Sequence, residues 1–286
     1  MYLSAQVMEN LKAIFRKLNQ QIDQRLPESE REAISFLILD YFGYSRSDFL
    51  KDSMVEIPGG ELDRIIVRLN HHEPIQYILE QAWFYGRSFK VRKGVLIPRP
   101  ETELLAEIIL NHYSKDEAIR VLDLGTGSGC IPVTLAAERP LWNVLATDIS
   151  PVALDVARFN AEAHQAKVHF LKSDMLEEIP DDIGTFDVLV SNPPYIPYSE
   201  RETMQPQVVD HEPHEALFAP DSDPVIFYRA ISEWAKKVLV PGGLVLVEIQ
   251  EKYGLPVRAL FEQDGFRGVT IIRDLDNKDR IVQAIK

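Results

Sequence analysis

The sequence predicts an α/β fold: a mostly parallel sheet covered by helices on both faces, preceded by a small helical bundle and a β-hairpin. Three observations carry this. From residue 119 onward, short apolar runs alternate with helical patterns, the first 75 residues show helical spacing throughout, and the last 21 residues read as two strands joined by a turn.

Within residues 1–75, apolar residues recur at three- and four-residue steps in "VMENLKAIFRKL" and "EREAISFLILDYFGY". Gly43 and Pro58-Gly59-Gly60 mark breaks, and "ELDRIIVRLNHHEP" predicts a further helix that stops before Pro74. Nothing in this bundle looks catalytic. His71 and His72 are adjacent and point about 100° apart on a helix, which suits a solvated helix end better than a metal site.

Residues 76–97 change character: aromatic and β-branched residues around Gly86 and Lys93-Gly94 predict a hairpin linking two modules. Residues 98–286 form the second module. A helix begins after "PRPETE", with Thr102 and the acids at its N-terminus, where the helix dipole favours negative charge. Then come "IRVLDLG", "NVLATDI", "VHFLKSD", "FDVLVSN" and "GGLVLVEIQ", separated by helical patterns such as 130–138, 151–165 and 224–239. In the tail, "DLDNKD" is too short for a helical crossover, so the last two strands are antiparallel.

Hydrophobic content of 45% and charged content of 26% describe a globular protein, and no segment is long and apolar enough to span a bilayer. A single cysteine rules out an intramolecular disulfide framework and leads us to expect a cytoplasmic protein. The net charge of −13, split as −2 over residues 1–70 and −11 over the rest, argues against holding nucleic acid through its phosphates. We expect a protein or small-molecule substrate, no direct nucleic-acid binding, no membrane partner and a monomer.

Ligands of open α/β sheets bind at the carboxyl ends of the strands, where strand order reverses. The first strand ends in "DLGTGSGC", with Gly125, Gly127 and Gly129 at alternate positions, and Asp148 closes the second strand nineteen positions after Gly129. There an acid can accept hydrogen bonds from ribose hydroxyls, and Asp174, closing the third strand, can face an adenine amino group. Any tight turn uses glycine, but three strand ends carrying these residues in this order point to a nucleoside cofactor. The spacing is neither that of a pyrophosphate loop nor that of a P-loop. A dehydrogenase is the competing reading. Cys130 follows at a helix N-terminus on the cofactor side, where packing explains it better than nucleophilic chemistry.

The fourth strand ends in Asn192-Pro193-Pro194-Tyr195. The two prolines stiffen the turn, and Pro193 holds Asn192 extended. The Asn192 side-chain oxygen and the Pro193 main-chain oxygen can then both accept from one planar NH2 group, while Tyr195 offers a flat face for stacking. Such an arrangement orients a conjugated nitrogen toward an electrophile without a strong base. It leaves open whether that nitrogen belongs to adenine, guanine or a glutamine carboxamide.

The glycine and acid pattern resembles the Rossmann-like class I S-adenosylmethionine-dependent methyltransferases. More specifically, "EPIQYIL" (73–79), "FYGRSFKV" (84–91), "VLIPRPETE" (95–103), "DLGTGSGCI" (123–131), "SNPPYIP" (191–197) and "VDHEPHEAL" (209–217) resemble the release-factor glutamine methyltransferase family (HemK/PrmC). The resemblance implies N5-methylation of the glutamine of the Gly-Gly-Gln loop in peptide-chain release factors. S-adenosyl-L-methionine is the implied donor and S-adenosyl-L-homocysteine the product, with the N-terminal bundle docking the release factor. The alternative is a nucleic-acid aminomethylase.

The resemblance assigns Gly125, Thr126, Gly127, Ser128, Gly129, Asp148, Ile149, Asp174, Met175 and Asn192 to the cofactor. It assigns Asn192, Pro193, Pro194 and Tyr195 to the substrate glutamine, with Asn192, Pro193 and Tyr195 catalytic. Met175 stands where the family often has an aromatic residue. Further departures are Glu80 in place of glycine, "FAPDSDP" (218–224) in place of a glycine-rich stretch, and Gln250 in place of the glycine of "EIG". His211 and His214 flank Glu212-Pro213, but a proline-containing loop cannot set them one helical turn apart as a zinc helix does.

Overall fold

The computed structural model describes residues 8–286. These divide into two compact units, one running through Glu80 and including Pro206–His211, the other comprising Gln81–Gln205 and Glu212–Lys286. Of the segment 76–97 read as a linker, residues 76–80 fall in the smaller unit and 81–97 in the larger. Among the described residues no helix is long and apolar enough to cross a membrane.

The first unit contains β1 (Met8–Asn10), α1 (Leu11–Gln21), α2 (Glu28–Tyr41), α3 (Arg46–Leu50), β2 (Met54–Glu56), α4 (Gly59–Asn70) and α5 (Ile75–Ile78). The predicted first helix is realised only from Leu11. The Asn10 side chain accepts from the backbone N–H groups of Lys12 and Ala13 at 3.0 and 3.2 Å. That cap fixes the helix start and leaves Met8–Asn10 extended, paired antiparallel with β2. Val7, which the predicted helix also included, lies outside the described residues.

The helical spacing buries Leu11, Ile14 and Leu18 against Ile38, Leu39, Ile65 and Ile78. Gly59 and Gly60, predicted as a break, lie in the first turn of α4, because the Pro58 carbonyl already accepts from Glu61 and Leu62. Glu80 adopts φ +52°, the left-handed backbone that favours glycine, which accounts for the glycine the resemblance leads one to expect there.

The second unit opens with the hairpin of β3 (Gln81–Phe84) and β4 (Arg87–Lys90), which leads to α6 (Glu103–His112). Then follow β5 (Arg120–Leu124), α7 (Cys130–Glu138), β6 (Asn143–Asp148), α8 (Pro151–Ala163), β7 (Val168–Lys172), β8 (Phe186–Ser191) and β9 (Ile196–Pro197). After α9 (Pro206–His211), which belongs to the first unit, come α10 (His214–Leu217), β10 (Phe218–Ala219), α11 (Ile226–Val238) and β11 (Leu239–Glu248). The chain ends with α12 (Gly254–Gln263), β12 (Arg267–Arg273) and β13 (Asp279–Ile285).

Among the described residues, seven strands form one sheet in the order β12-β13-β11-β8-β5-β6-β7. β11, β8, β5, β6 and β7 pair in parallel, and β13 pairs antiparallel with β11 and β12. Alternate residues of the central strands feed opposite layers: Val121, Val188 and Val190 enter the core on one face, Leu122, Leu189 and Val245 that on the other.

The reversal of strand order falls at β5, between β8 and β6. Register brings the strand ends level, since Leu124 pairs with Ser191 and with Thr147, and Ser191 pairs with Val247. The residues that follow, Gly125, Asp148, Asn192 and Glu248, therefore emerge along one edge of the sheet.

Candidate active site

At that edge lies a cavity of about 340 Å³, within the range of small-ligand sites. Gly125, Thr126, Gly127 and Ser128 line it from the loop after β5. Asp148, Ile149, Asp174 and Met175 line it from the loops after β6 and β7, and Asn192 and Pro194 from the turn after β8. Gly129, Pro193 and Tyr195 are not among its lining residues.

Gly129, predicted to touch the cofactor, has a packing task as well. It precedes α7 with φ +80°, and a Cβ there would sit 2.9 Å from the Cβ of Ala157 on α8. Gly125, at φ +74°, does face the cavity, and a Cβ on it would come within 3.1 Å of the Met175 methyl group. Met175 is held in turn by Trp234, whose indole N–H donates to its carbonyl at 3.0 Å.

Asp148 is 9% exposed and ties two loops together. Its Oδ2 accepts from the Gly127 N–H at 2.8 Å and its Oδ1 from the Ser150 N–H at 2.9 Å. Burial pushes its carboxyl up, and these backbone donors draw it back. Each oxygen keeps acceptor capacity for a diol.

Two residues before Gly125, Asp123 is fully buried and neither carboxylate oxygen has a hydrogen-bond partner among the described residues. Burial pushes it up to about 7, with the Asp148 charge adding to the effect. This orphaned acid suits a ligand that brings positive charge over the loop. It also predicts a pH dependence. The folded state holds a proton that the unfolded chain releases near 3.8, so stability of the ligand-free protein declines as pH rises from about 4 through about 7. Thermal melts across that range should show the decline, and Asp123→Asn should flatten it.

The Asn192 carboxamide is directional. Its Nδ2 donates to Thr102 Oγ1 at 3.1 Å, and the Thr102 hydroxyl donates to Glu248 Oε2 at 2.6 Å. With its nitrogen tethered, Asn192 keeps Oδ1 as an acceptor. Tyr195 is partly buried and packs against the core beneath β8 and β11, where its hydroxyl donates to Glu248 Oε1 at 3.2 Å. Burial and the neighbouring Glu248 push the phenol up, so it stays neutral.

Sequence reasoning placed Thr102 near a helix N-terminus but missed its bond to Glu248. The available signal was an acid inside the apolar run "LVLVEI", because a charge on a central strand is rare unless it has partners.

The two segments "IPRPETE" and "EPHEAL" meet through Glu212, which is 4% exposed. It accepts from the Arg99 guanidinium at 2.6 Å and from the Ile97 N–H at 3.2 Å. A second wall follows Tyr195, where β9 and β10 pair in parallel. Asp221 accepts from the Ser199 N–H and hydroxyl at 2.9 and 2.8 Å, while Gln250 donates to Glu200 at 2.9 Å and Lys252 pairs with the same acid. Two of the departures from the family pattern thus hold one turn, Tyr198–Thr203. His214 places its ring against Phe218 and Tyr198. Cys130 lines the cavity, but burial pushes its thiol up to about 12, which leaves it unreactive.

Comparison with known proteins agrees with this geometry. The model of the methyltransferase small domain family matches residues 100–211. A methyltransferase from Pyrococcus furiosus shares the fold, with a TM-score of 0.52 and 22% identity over 71% of this chain and 90% of that one. The release factor glutamine methyltransferase of Staphylococcus aureus is 38% identical over 88% of this chain and 91% of its own length. That of Bacteroides thetaiotaomicron is 41% identical over 93% of this chain and 97% of its own. Likeness at this level spans both units and the cavity at the sheet edge, and the chain belongs to the release factor glutamine methyltransferase family.

Proposed function

We propose that this protein uses S-adenosyl-L-methionine to methylate the side-chain nitrogen, N5, of the glutamine in the Gly-Gly-Gln motif of peptide-chain release factors. The observation that carries the reading is the tethered Asn192 carboxamide, which offers its oxygen at a cavity whose other walls suit a nucleoside.

The cofactor supplies a methyl group on a sulfonium, a leaving group that needs no acid. Asp148 would accept from the ribose hydroxyls, Asp174 and Met175 would flank the adenine, and the loop Gly125–Ser128 would hold the amino-acid portion. The buried Asp123 complements its positive charge.

On the substrate side, Asn192 Oδ1 and the Pro193 carbonyl accept the two hydrogens of the glutamine NH2 group. They raise electron density on a nitrogen whose lone pair is otherwise delocalised, and they stabilise the charge it gains. Pro194 has no N–H to compete for these acceptors. Tyr195 backs the carboxamide plane, and the fixed turn supplies the alignment that the displacement requires.

The first unit docks the release factor. It exposes Leu50 and Val67, 77% and 57% accessible, and the family resemblance supports this role. The setting is cytoplasmic. Incubation with a release factor and methyl-labelled cofactor should add 14 Da to the Gly-Gly-Gln glutamine, located by mass spectrometry. Absence of that label, with efficient labelling of DNA or RNA, would favour the nucleic-acid alternative.

A further inference from the structure

Glu248 is a buried carboxylate that the reaction does not obviously need. It is 1% exposed, and among the described residues no ion pair reaches it. The nearby cation, Arg280, gives its guanidinium to Asp274 at 2.9 Å. Burying a charge in this way is costly, and replacing it with an apolar side chain would cost the sheet little. What Glu248 does have is two hydroxyl donors, one on each oxygen: Thr102 on Oε2 and Tyr195 on Oε1.

We propose that Glu248 is the positioning residue of the site, setting which atom of the Asn192 carboxamide faces the substrate and at the same time anchoring the Tyr195 ring. The inference deepens the function proposed above and rests on it.

The argument follows the hydrogens. Both Glu248 oxygens accept, Oε2 from Thr102 and Oε1 from Tyr195, so the single hydroxyl hydrogen of Thr102 is committed to Glu248. The Thr102 oxygen is then left as an acceptor toward Asn192. Only Nδ2 can satisfy it, and Oδ1 is turned the other way. One charge at the end of strand β11 thus fixes an amide whose two ends are nearly equal in shape. The same carboxylate takes the Tyr195 hydroxyl, so both ends of the Asn192–Tyr195 turn are referred to one buried point.

Glutamine at 248 preserves the shape and reverses the polarity. Glutamine offers one acceptor where the carboxylate offered two, and with the amide oxygen on Tyr195 the amide nitrogen faces Thr102. The Thr102 oxygen then accepts from position 248 and its hydrogen turns toward Asn192, where Oδ1 is the group that can receive it. The carboxamide flips, and an NH2 group replaces the acceptor at the substrate.

The test compares Glu248→Gln, Thr102→Val and Thr102→Ser with the wild type on a release factor. The measurements are kcat, KM for the release factor, cofactor affinity by calorimetry, and melting temperature. Glu248→Gln should lower kcat about 10- to 100-fold through lost orientation, with cofactor affinity, KM and melting temperature near wild type. Thr102→Val should lose as much, Thr102→Ser should retain most activity, and Glu248→Gln combined with Thr102→Val should lose little more than either alone.

Wild-type kcat in Glu248→Gln overturns the inference, and so does a loss matched by equally weakened cofactor binding. If Glu248→Gln fails to fold, Thr102→Val decides, and full activity there overturns the inference. A wild type that labels no glutamine overturns the proposed function itself, and this inference with it.

Discussion

Asn192→Ala is expected to lower kcat about 100- to 1000-fold, the cost of removing one preorganised polar group from a developing charge. In the proposed reaction the carboxamide oxygen is one of two acceptors for the glutamine NH2 group, and alanine leaves nothing in its place. The fold should survive. Asn192 makes one side-chain bond, to Thr102, and its loss leaves a hydroxyl that still donates to Glu248. Cofactor affinity should change only a few-fold, because Asp148 and the Gly125–Ser128 loop are untouched. Single-turnover rates with a release factor, set beside calorimetric cofactor binding, separate the two effects. Parallel losses in both would assign Asn192 to cofactor binding alone.

Arg99→Ala should give the largest stability effect at the cavity. Glu212 has a side chain only 1% exposed, and Arg99 is its cationic partner, with the Ile97 N–H the remaining donor. Removing the guanidinium strands a buried charge. The expected cost is about 3 kcal/mol, at the lower end for a broken buried pair, because the Arg99 side chain is itself 33% exposed. For a unit of this size that lowers the melting temperature by about 6–12 °C. The double variant Arg99→Ala with Glu212→Gln should recover much of the loss, since a neutral amide needs no counter-charge. Melts that leave the double variant as unstable as Arg99→Ala would refute the stranded charge as the cause.

The sheet was legible because its strands are short continuous apolar runs, as burial on both faces requires, alternating with helical patterns. That Asp148, Asn192 and the Gly125–Ser128 loop line one cavity was legible for a related reason: strand ends in such a sheet open onto one edge, so position along the chain predicts position at the cavity. Other features escaped. Met8–Asn10 carries helical spacing, yet the cap at Asn10 ends the helix there, a local hydrogen bond outweighing periodicity. The pairing of Ile196–Pro197 with Phe218–Ala219 is too short to leave a pattern.

At Gly129 the sequence did not reveal that the turn packs on α8, because a glycine required by a neighbouring helix looks the same as any other. Thr102, Glu248, Arg99 and Glu212 were present within quoted segments, but their roles depend on pairings across 146 and 113 positions. Short-range spacing carries no such information.

The turn Tyr198–Thr203 gives the family departures a common meaning. Gln250 donates to Glu200, Lys252 pairs with the same acid, and Asp221 holds Ser199. A chain with glycine at 250 has no side chain there to reach Glu200. Ser199, Glu200, Asp221, Gln250 and Lys252 thus act as one mechanical unit, and in this chain the wall is held by side chains rather than left to backbone freedom.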